Sequence, residues 1–476
     1  MRVLYVSTEV HPALKTGGLA DVNAALPPAL AAAGADVRLL LPGFPALFEA
    51  ATAEGAPIGI GAAFGIENIG LVPCRIGATR AWLIDAPTFF ARSGNPYVDA
   101  DGRDWPDNAV RFALLGWMAA RFADGGFDAW RPDIVHSHDW HAGLTCAYLR
   151  ARGGAGPGSV FTVHNLGYQG QFDATAFPAL GLPDHFFSMH GLEFHGQLNF
   201  MKAALFYADR ITTVSPTYAR EIQRAEHGLG MEGLLRSRAG ALSGILNGIA
   251  TDEWNPQTDP HLSAPYSADQ LRGKAACGDA LRVELGLRSD MRGPLLCVVS
   301  RLTPQKGLDL LLEALPVLLA GGGQCALLGS GDAVLEAAWL RAAAAHPGSV
   351  AVQLGYDEAL AHRIVAGADL LAVPSRFEPC GLTQMYGLRY GTLPLVRRTG
   401  GLADTVIDAA SADANGFVFE AALSADLAAA LQRALALWQQ PKRWQAMQRS
   451  AMQADFGWAA SAGRYMALYR ELRPHA

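Results

Sequence analysis

The sequence predicts an α/β protein made of two Rossmann-like halves. The chain has 476 residues, too many for one hydrophobic core, so two domains of roughly 200–250 residues are expected. Short apolar runs without alternation, typical of buried parallel strands, recur with helical segments between them. This rhythm stops in the Asp/Asn/Pro-rich residues 252–260 and restarts near residue 295, which indicates a domain boundary.

The composition restricts the possible partners and the compartment. Half of the residues are hydrophobic and 17% are charged, which favours a globular protein, and the net charge of −6 argues against nucleic acid or an anionic membrane as a partner. The apolar runs are too short to span a bilayer. The cysteines form no CxxC pair, and an apolar strand begins directly after Met1, where a signal peptide has no room. We therefore expect a cytoplasmic protein with free thiols.

A glycine-containing loop follows the first predicted strand. The strand over residues 2–7 leads into a loop with Lys15, Gly17 and Gly18, then a helix and a strand over residues 37–41. Glycines at the step from loop to helix let the backbone approach a phosphate or sugar closely. The loop matches neither the Walker motif nor GxGxxG. The alternative is a tight turn with a solvated lysine.

The region before the next helix is predicted to be irregular. Residues 43–80 contain no clear repeat, and residues 92–107 form a polar loop broken by glycine and proline. Asp99 and Asp101 in this loop form a DxD pair of the kind that binds metal in other enzymes. No strand precedes the pair, so we do not expect a metal here.

Histidines cluster at the end of a strand over residues 134–138. His136 and His138 lie on one face of this strand and, with His141, could bind zinc. The third ligand would lie on a following helix and no second carboxylate completes the site, so a hydrogen-bonding edge is preferred, with Asp139 and Trp140 suited to a sugar.

A further strand ends in His164, which either caps that strand or, at a strand end facing a cleft, recognises a hydroxyl. The first half then runs to Asn247.

The second half carries the charged candidates in its loops. Arg301 and Lys306 follow a strand over residues 295–300, and a guanidinium with an ammonium suits a diphosphate. Glu378 follows a strand over residues 368–375, ahead of a predicted helix, and suits a sugar hydroxyl better than a phosphate. The alternatives are an exposed polar loop for the cations and a first-turn helix carboxylate for Glu378.

These segments match a known family. They run in order from about residue 1 to 465 and read KTGGLADV, HSHDWHAGL, FTVHNLGYQG, MKAALFYAD, VSPTYAREI, LNGI, SRLTPQKGLDL, SRFEPCGLTQMYGL and TGGLADTV. The combination resembles the bacterial glycogen synthases, the ADP-glucose-using relatives of plant starch synthases. The resemblance implies the GT-B glycosyltransferase fold, in which two Rossmann-like domains face a deep cleft. It implies an acceptor-side domain over residues 1–247, a sugar-nucleotide-binding domain over residues 248–455, and a helix over residues 456–476 that crosses back to the N-terminal domain.

The resemblance also implies roles for single residues. The four implied catalytic residues are Arg301 and Lys306 on the diphosphate, Glu378 on the glucose hydroxyls, and His164 on the donor glucose. The implied substrate-binding residues are Lys15, Gly17, Gly18 and Asp21 on the N-terminal side, Asn247 at the hinge, Tyr356 against the adenine, Cys380, Gly381, Leu382 and Thr383 at the helix start, and Asp139 and Tyr97 nearer the acceptor.

The implied reaction transfers glucose from ADP-glucose to the non-reducing 4-hydroxyl of an α-1,4-glucan, with retention and release of ADP. The motifs supply no carboxylate pair for double displacement, which favours departure and attack on one face with no metal or other cofactor. Many retaining relatives carry a second glutamate eight positions after the first, and here that position is Tyr386. The ribose-binding role of that glutamate is therefore not assigned.

Three other classes fit parts of the sequence. A pyridoxal-phosphate glucan phosphorylase shares the fold class but needs a separate cofactor motif. A nicotinamide dehydrogenase needs GxGxxG after a strand, with an acid roughly 20 residues on, which neither half has. A non-catalytic glucan-binding protein fits the sugar-suited loops but leaves Lys15, Arg301 and Lys306 without a role.

Overall fold

Buried parallel strands form the frame of both halves of the chain, as the uninterrupted apolar runs predict. The computed structural model describes residues 1–123, 125, 127, 130–154 and 156–474. Met1–Gly248 together with Trp458–Ala476 form unit 1, and Ile249–Gly457 form unit 2. The chain therefore passes between the units twice, close to the boundaries predicted after residues 247 and 455.

The first part of unit 1 alternates strands with helices. Its elements are β1 (Arg2–Val6), α1 (Gly18–Ala32), β2 (Asp36–Pro42), α2 (Pro45–Ala50), β3 (Thr52–Ala53), β4 (Ile58–Ala63), β5 (Ile66–Ile76), β6 (Thr79–Asp85), α3 (Pro87–Phe90), α4 (Asn108–Ala123), β7 (Ile134–His138), α5 (Leu144–Arg152), β8 (Gly158–Val163), β9 (Gln171–Asp173), β10 (Glu193–Phe194), β11 (Gln197–Asn199), α6 (Phe200–Tyr207), β12 (Arg210–Thr213), α7 (Pro216–Glu221), α8 (Ala225–Gly228), α9 (Glu232–Ser237) and β13 (Leu242–Gly244).

The main sheet of unit 1 has ten strands in the order β13-β12-β8-β7-β1-β2-β6-β5-β3, with β4 also paired to β5. The strands from β13 to β6 in this order run parallel, and β5, β3 and β4 add an antiparallel extension at one edge. A small separate sheet has the order β10-β11-β9.

The prediction that residues 43–80 are irregular is wrong, because they contain α2 and the strands β3, β4 and β5. Two glycines hide the alternation of β4: Gly59 and Gly61 lie where its register with β5 shifts, and Gly61 has a φ of 94°. Pro73 lies inside β5 and weakens the strand pattern there.

Unit 2 repeats the strand–helix alternation with one parallel sheet. Its elements are α10 (Arg272–Glu284), β14 (Leu295–Val299), α11 (Leu308–Ala320), β15 (Gln324–Gly329), α12 (Ala333–Ala345), β16 (Val350–Leu354), α13 (Glu358–Gly367), β17 (Leu370–Val373), α14 (Thr383–Arg389), β18 (Leu393–Arg397), α15 (Gly400–Thr405), β19 (Phe417–Phe419), α16 (Ser424–Trp438) and α17 (Pro441–Gln453). All six strands run parallel in the order β16-β15-β14-β17-β18-β19.

The last helix, α18 (Trp458–Leu472), belongs to unit 1. The hydroxyl of Tyr469 lies 2.7 Å from Nδ1 of His136 in β7, and the hydroxyl of Ser461 donates to the carbonyl of Leu246 at a short distance. Both contacts join α18 to the part of unit 1 that precedes Gly248.

A membrane-crossing helix is not found among the residues that the structure describes, since each of its helices is too short or too polar.

Candidate active site

In unit 2 the predicted donor loops lie where the strand order reverses. The sheet continues from β14 to β15 and β16 on one side, and to β17, β18 and β19 on the other. Because parallel strands end at the same edge, the loops after β14 and β17 flank the crevice that such a reversal leaves. Arg301 and Lys306 follow β14, and Glu378 follows β17. The fold of unit 2 therefore brings these three predicted residues to one place.

Lys306 and Glu378 form an ion pair there. Nζ of Lys306 lies 2.6 Å from Oε2 of Glu378, and the hydroxyl of Ser375 donates to the same oxygen at 2.8 Å. The side chain of Glu378 is 7% exposed and that of Lys306 is 19% exposed. Because water screens this pair poorly, removing either partner leaves a charge without compensation.

The alternative for Glu378, a first-turn carboxylate held by a helix dipole, is wrong. The helix α14 begins at Thr383 and spans only 7 residues, so Glu378 lies in the loop ahead of it. The alternative of an exposed loop describes Arg301, whose side chain is exposed, but not the half-buried Lys306. The N–H of Arg376 donates to the carbonyl of Gln305 at 2.8 Å, which joins the two loops directly.

A glycine pair at the start of α15, Gly400 and Gly401, fixes the backbone that carries Glu378. Gly400 has a φ of 44°, and a Cβ added there would overlap the carbonyl oxygen of Glu378. The N–H of Gly401 lies within 3.2 Å of the carbonyl of Glu378 and 3.1 Å of that of Pro379. A larger residue at position 400 therefore requires the loop with Glu378 to move.

The predicted ligand donors at the start of α14 are held by Gln384. Its Nε2 donates to the carbonyls of Cys380 at 3.1 Å and Gly381 at 2.9 Å. Gly381 has a φ of 72°, which turns the chain toward the helix. Cys380 is buried, whereas Leu382 and Thr383 are half-buried. Since α14 is short, this loop offers a ligand individual N–H groups rather than a strong helix dipole.

The predicted adenine-stacking residue lies in the loop after β16. Tyr356 is 62% exposed, and its hydroxyl donates to the carboxylate of Glu358 in the first turn of α13. The exposed ring of Tyr356 is thus held at one end by this hydrogen bond.

Unit 1 has a corresponding reversal of strand order between β1 and β7. The loop after β1 carries Lys15, Gly17 and Gly18, and Gly17 is the N-cap of α1. Nζ of Lys15 lies 2.9 Å from Oδ1 of Asp21 in the first turn of α1. The four predicted substrate-binding residues Lys15, Gly17, Gly18 and Asp21 therefore lie together at the start of α1.

A buried carboxylate that the sequence analysis did not identify connects this loop to Tyr97. Glu9 is 2% exposed, and its Oε1 accepts from the hydroxyls of Tyr97 at 2.5 Å and Thr16 at 2.7 Å. Its Oε2 accepts from the N–H of Thr16 at 2.6 Å. Burial raises the pKa of Tyr97 well above its ordinary value, so its hydroxyl stays protonated and donates. An acidic residue directly after a buried strand was the available signal for Glu9.

Asp139 has a strained backbone at the end of β7. Its φ of 54° and ψ of 179° lie in a region that essentially only glycine adopts. Its Oδ1 accepts from the N–H of His164 at 2.8 Å and that of Asn165 at 3.4 Å. Burial raises the pKa of Asp139 to about 7, although these two N–H groups favour the ionised form. The predicted residues Asp139 and His164 are thus in direct contact.

In the histidine cluster, both ring nitrogens of His136 are engaged in hydrogen bonds. Nδ1 of His136 is bonded to the hydroxyl of Tyr469 and Nε2 to that of Thr162, at 2.7 and 2.6 Å, so neither nitrogen is left for a metal. Nδ1 of His138 lies 2.9 Å from Nε2 of His164. Burial lowers the pKa of His136 and of His164 to about 3, and both rings are therefore neutral at pH 7.

Asp99 and Asn247, two further positions considered in the sequence analysis, make contacts of other kinds. Oδ1 of Asp99 accepts from the N–H groups of Asp101 and Arg103 at 2.9 Å, which is the pattern of a turn.

Asn247 lies at the end of unit 1 and takes part in none of the contacts described above. Its Oδ1 is buried without a hydrogen-bond partner among the described residues. Because an unsatisfied buried oxygen costs about 1–3 kcal/mol, Asn247 is a candidate for contact with a ligand.

Comparisons with known proteins identify the family of the chain. The model "Starch synthase catalytic domain" matches residues 2–237, and "Glycosyl transferases group 1" matches residues 286–450. Glycogen synthases of Serratia proteamaculans (strain 568) and Edwardsiella ictaluri (strain 93-146) are each 56% identical over 482 residues, covering 99% of this chain and 100% of the relative. The catalytic domain of starch synthase IV from Arabidopsis thaliana, bound to ADP and acarbose, has a TM-score of 0.89 at 33% identity, with 99% of both chains covered.

The parallel sheets, the loops at their reversals and these matches define a glycosyltransferase with the two-domain GT-B fold. The predicted fold class and enzyme class are therefore confirmed. The chain belongs to the glycogen synthase family.

We expect Gly400→Ala to lower kcat by about 10²-fold, because a displacement of about 1 Å at a reacting group has that effect. The thermal midpoint should fall as well, because the added Cβ meets backbone atoms and alanine disfavours a positive φ. The control is Gly463→Ala in α18, where an added Cβ meets no atom within 4 Å. Initial-rate kinetics check this, and a wild-type kcat for Gly400→Ala would contradict the role of Gly400 in placing Glu378.

We expect Asp139→Asn to stabilise the protein more at pH 8 than at pH 5. The folded-state pKa of Asp139, about 7, lies above the unfolded value near 4, so this residue lowers the stability as pH rises through that window. Asparagine cannot ionise and keeps an oxygen for the N–H of His164. The difference in unfolding free energy between variant and wild type should grow by about 2–3 kcal/mol from pH 5 to pH 8 in urea titrations. A difference that is independent of pH would show that Asp139 is not the titrating group.

Proposed function

We propose that the protein transfers glucose from ADP-glucose to the non-reducing 4-hydroxyl of an α-1,4-glucan, with retention of configuration and release of ADP. The observation that carries this proposal is the contact between Lys306 and Glu378 at the strand-order reversal of unit 2. One loop offers cations to a diphosphate and its neighbour offers a carboxylate to a sugar, which together suit a sugar nucleotide. The related starch synthase IV structure is bound to ADP and acarbose, which supports a nucleotide and a saccharide as ligands.

Departure of ADP is the step in which the site must stabilise the most negative charge. Negative charge develops on the diphosphate as its bond to glucose breaks, and Arg301 and Lys306 stabilise that charge from the loop after β14. Because Glu378 holds the ammonium of Lys306, the diphosphate competes with this carboxylate for it. Glucose hydroxyls offer Glu378 other hydrogen-bond donors, which lets Lys306 turn to the phosphate. Binding of the sugar and of the diphosphate are thereby linked.

A reaction on one face of the sugar fits this site. Double displacement requires a carboxylate that attacks the sugar and a second one about 5 Å away as acid and base. Glu378 is instead engaged by Lys306 and Ser375. We therefore propose that the acceptor hydroxyl attacks from the side on which ADP departs, without a covalent intermediate.

The proposal also gives substrate-binding roles to residues of unit 1. Lys15 and the backbone of the glycine loop bind the sugar nucleotide, and neutral His164 hydrogen-bonds to the donor glucose. Asp139 and Tyr97 bind nearer the acceptor. The support is that Glu9 ties Tyr97 to the glycine loop through Thr16, while Asp139 accepts from the backbone N–H of His164.

The proposal includes no metal and no other cofactor, because Arg301 and Lys306 supply the charge that a metal would supply. ADP-glucose and a glucan are the proposed partners, with neither nucleic acid nor membrane. The proposed compartment is the cytoplasm, since the six cysteines are buried free thiols.

Purified protein should release ADP from ADP-glucose at a rate that depends on added glycogen, in a coupled assay containing EDTA. UDP-glucose should give a much lower kcat/KM, and the new linkage should be α by NMR. Glycogen-independent release would overturn the transfer reaction, and equal use of UDP-glucose would overturn the donor assignment. Loss of activity in EDTA that Mn²⁺ restores would overturn the metal-free mechanism.

A further inference from the structure

The residues just after the boundary between the units do more than connect them. The indole of Trp254 lies between two rings: that of His362 at 3.7 Å and 17°, and that of Tyr386 at 3.8 Å and 9°. Trp254 and His362 are buried and Tyr386 is half-buried, so the stack is largely closed to solvent. His362 lies in α13 and Tyr386 in α14, and Trp254 therefore joins these two helices.

Asp259 joins the same two helices a second time. Its Oδ2 accepts from Nδ1 of His362 at 2.7 Å and from the hydroxyl of Tyr390, the C-cap of α14, at 2.6 Å. The side chain of Asp259 is 0% exposed and that of His362 is 3% exposed. Burial acts to raise the pKa of Asp259, but the hydrogen bonds from His362 and Tyr390 outweigh it and hold the pKa below its ordinary value. The carboxylate therefore stays ionised and accepts from both helices.

The two joined helices follow the two loops of the proposed donor site. Tyr356, proposed to stack on the adenine, immediately precedes α13. Glu378, proposed to hold the glucose, precedes α14, and the N–H of Tyr386 bonds to the carbonyl of Leu382 at 3.0 Å in the first turn of that helix. Trp254 and Asp259 therefore connect the helices that directly follow the two loops proposed to hold the ends of one donor molecule.

We propose that Trp254 and Asp259 are positioning residues that set the spacing between the adenine-binding and the glucose-binding loops of unit 2. The inference rests on the proposed function, because that function assigns the two loops to one donor. It also accounts for the tyrosine eight positions after Glu378: the ring of Tyr386 is one face of the stack. A ligand that touches both loops depends on the spacing, whereas a ligand that touches only the adenine loop does not.

The test compares two ligands in the full-length protein. Trp254→Leu removes both stacked faces, whereas Trp254→Phe keeps a flat ring between His362 and Tyr386. Trp254→Leu should lower kcat/KM for ADP-glucose by about 10²-fold, since the two ends of the donor no longer fit together. The Kd of AMP, measured by calorimetry, should change by less than about threefold. Trp254→Phe should recover most of the lost activity.

The matched control is Trp438→Leu, the same substitution in α16 of unit 2, where Trp438 packs against Trp444. In this variant, the ratio of kcat/KM for ADP-glucose to the affinity for AMP should equal that of the wild type, even where the thermal midpoint falls. If Trp254→Leu does not fold, Tyr386→Leu, which removes one face of the stack, decides the matter with the same two measurements.

The remaining outcomes distinguish failure of the positioning role from failure of the proposed function. Equal losses for AMP and ADP-glucose, or no loss for either, would overturn the positioning role. Failure of Trp254→Phe to exceed Trp254→Leu would do the same. A wild-type protein that neither binds AMP nor uses ADP-glucose would instead refute the proposed function, and the inference with it.

Discussion

The ion pair between Lys306 and Glu378 is the contact on which the donor side of the site depends. It joins the loops after β14 and β17, which come from adjacent strands but from chain segments about 70 residues apart. The guanidinium of Arg376 supports it by pairing with Asp309 at 2.5 Å. The fold therefore places a cation and an anion in direct contact, and the proposed function gives them different parts of the donor to bind.

The site lowers the stability of the fold at several positions. Asp139 has a backbone conformation costing on the order of 1–3 kcal/mol, and its buried carboxyl resists ionisation. Asn247 buries an oxygen without a described partner. Such local costs persist where the surrounding structure supports them and are typical of functional sites.

Much of the fold was predictable because buried parallel strands leave a plain signal. The apolar run over Leu370–Val373 and the charged loop after it indicated both a strand and a ligand site. The antiparallel extension over β4 was not predictable, because its glycines remove the alternation that marks a strand. The pairing of Lys306 with Glu378 and the stack on Trp254 join positions distant in sequence, and a single sequence does not encode such contacts in any local pattern.

The affinity of Glu378→Gln for ADP tests the central claim most directly. If Glu378 holds the ammonium that the diphosphate needs, removing its charge frees Lys306 and also removes repulsion of the phosphates. Calorimetry should then show ADP binding tighter than to the wild type by about three- to tenfold, although the variant transfers little glucose. ADP binding that is unchanged or weaker in Glu378→Gln would contradict the competition between carboxylate and diphosphate for Lys306.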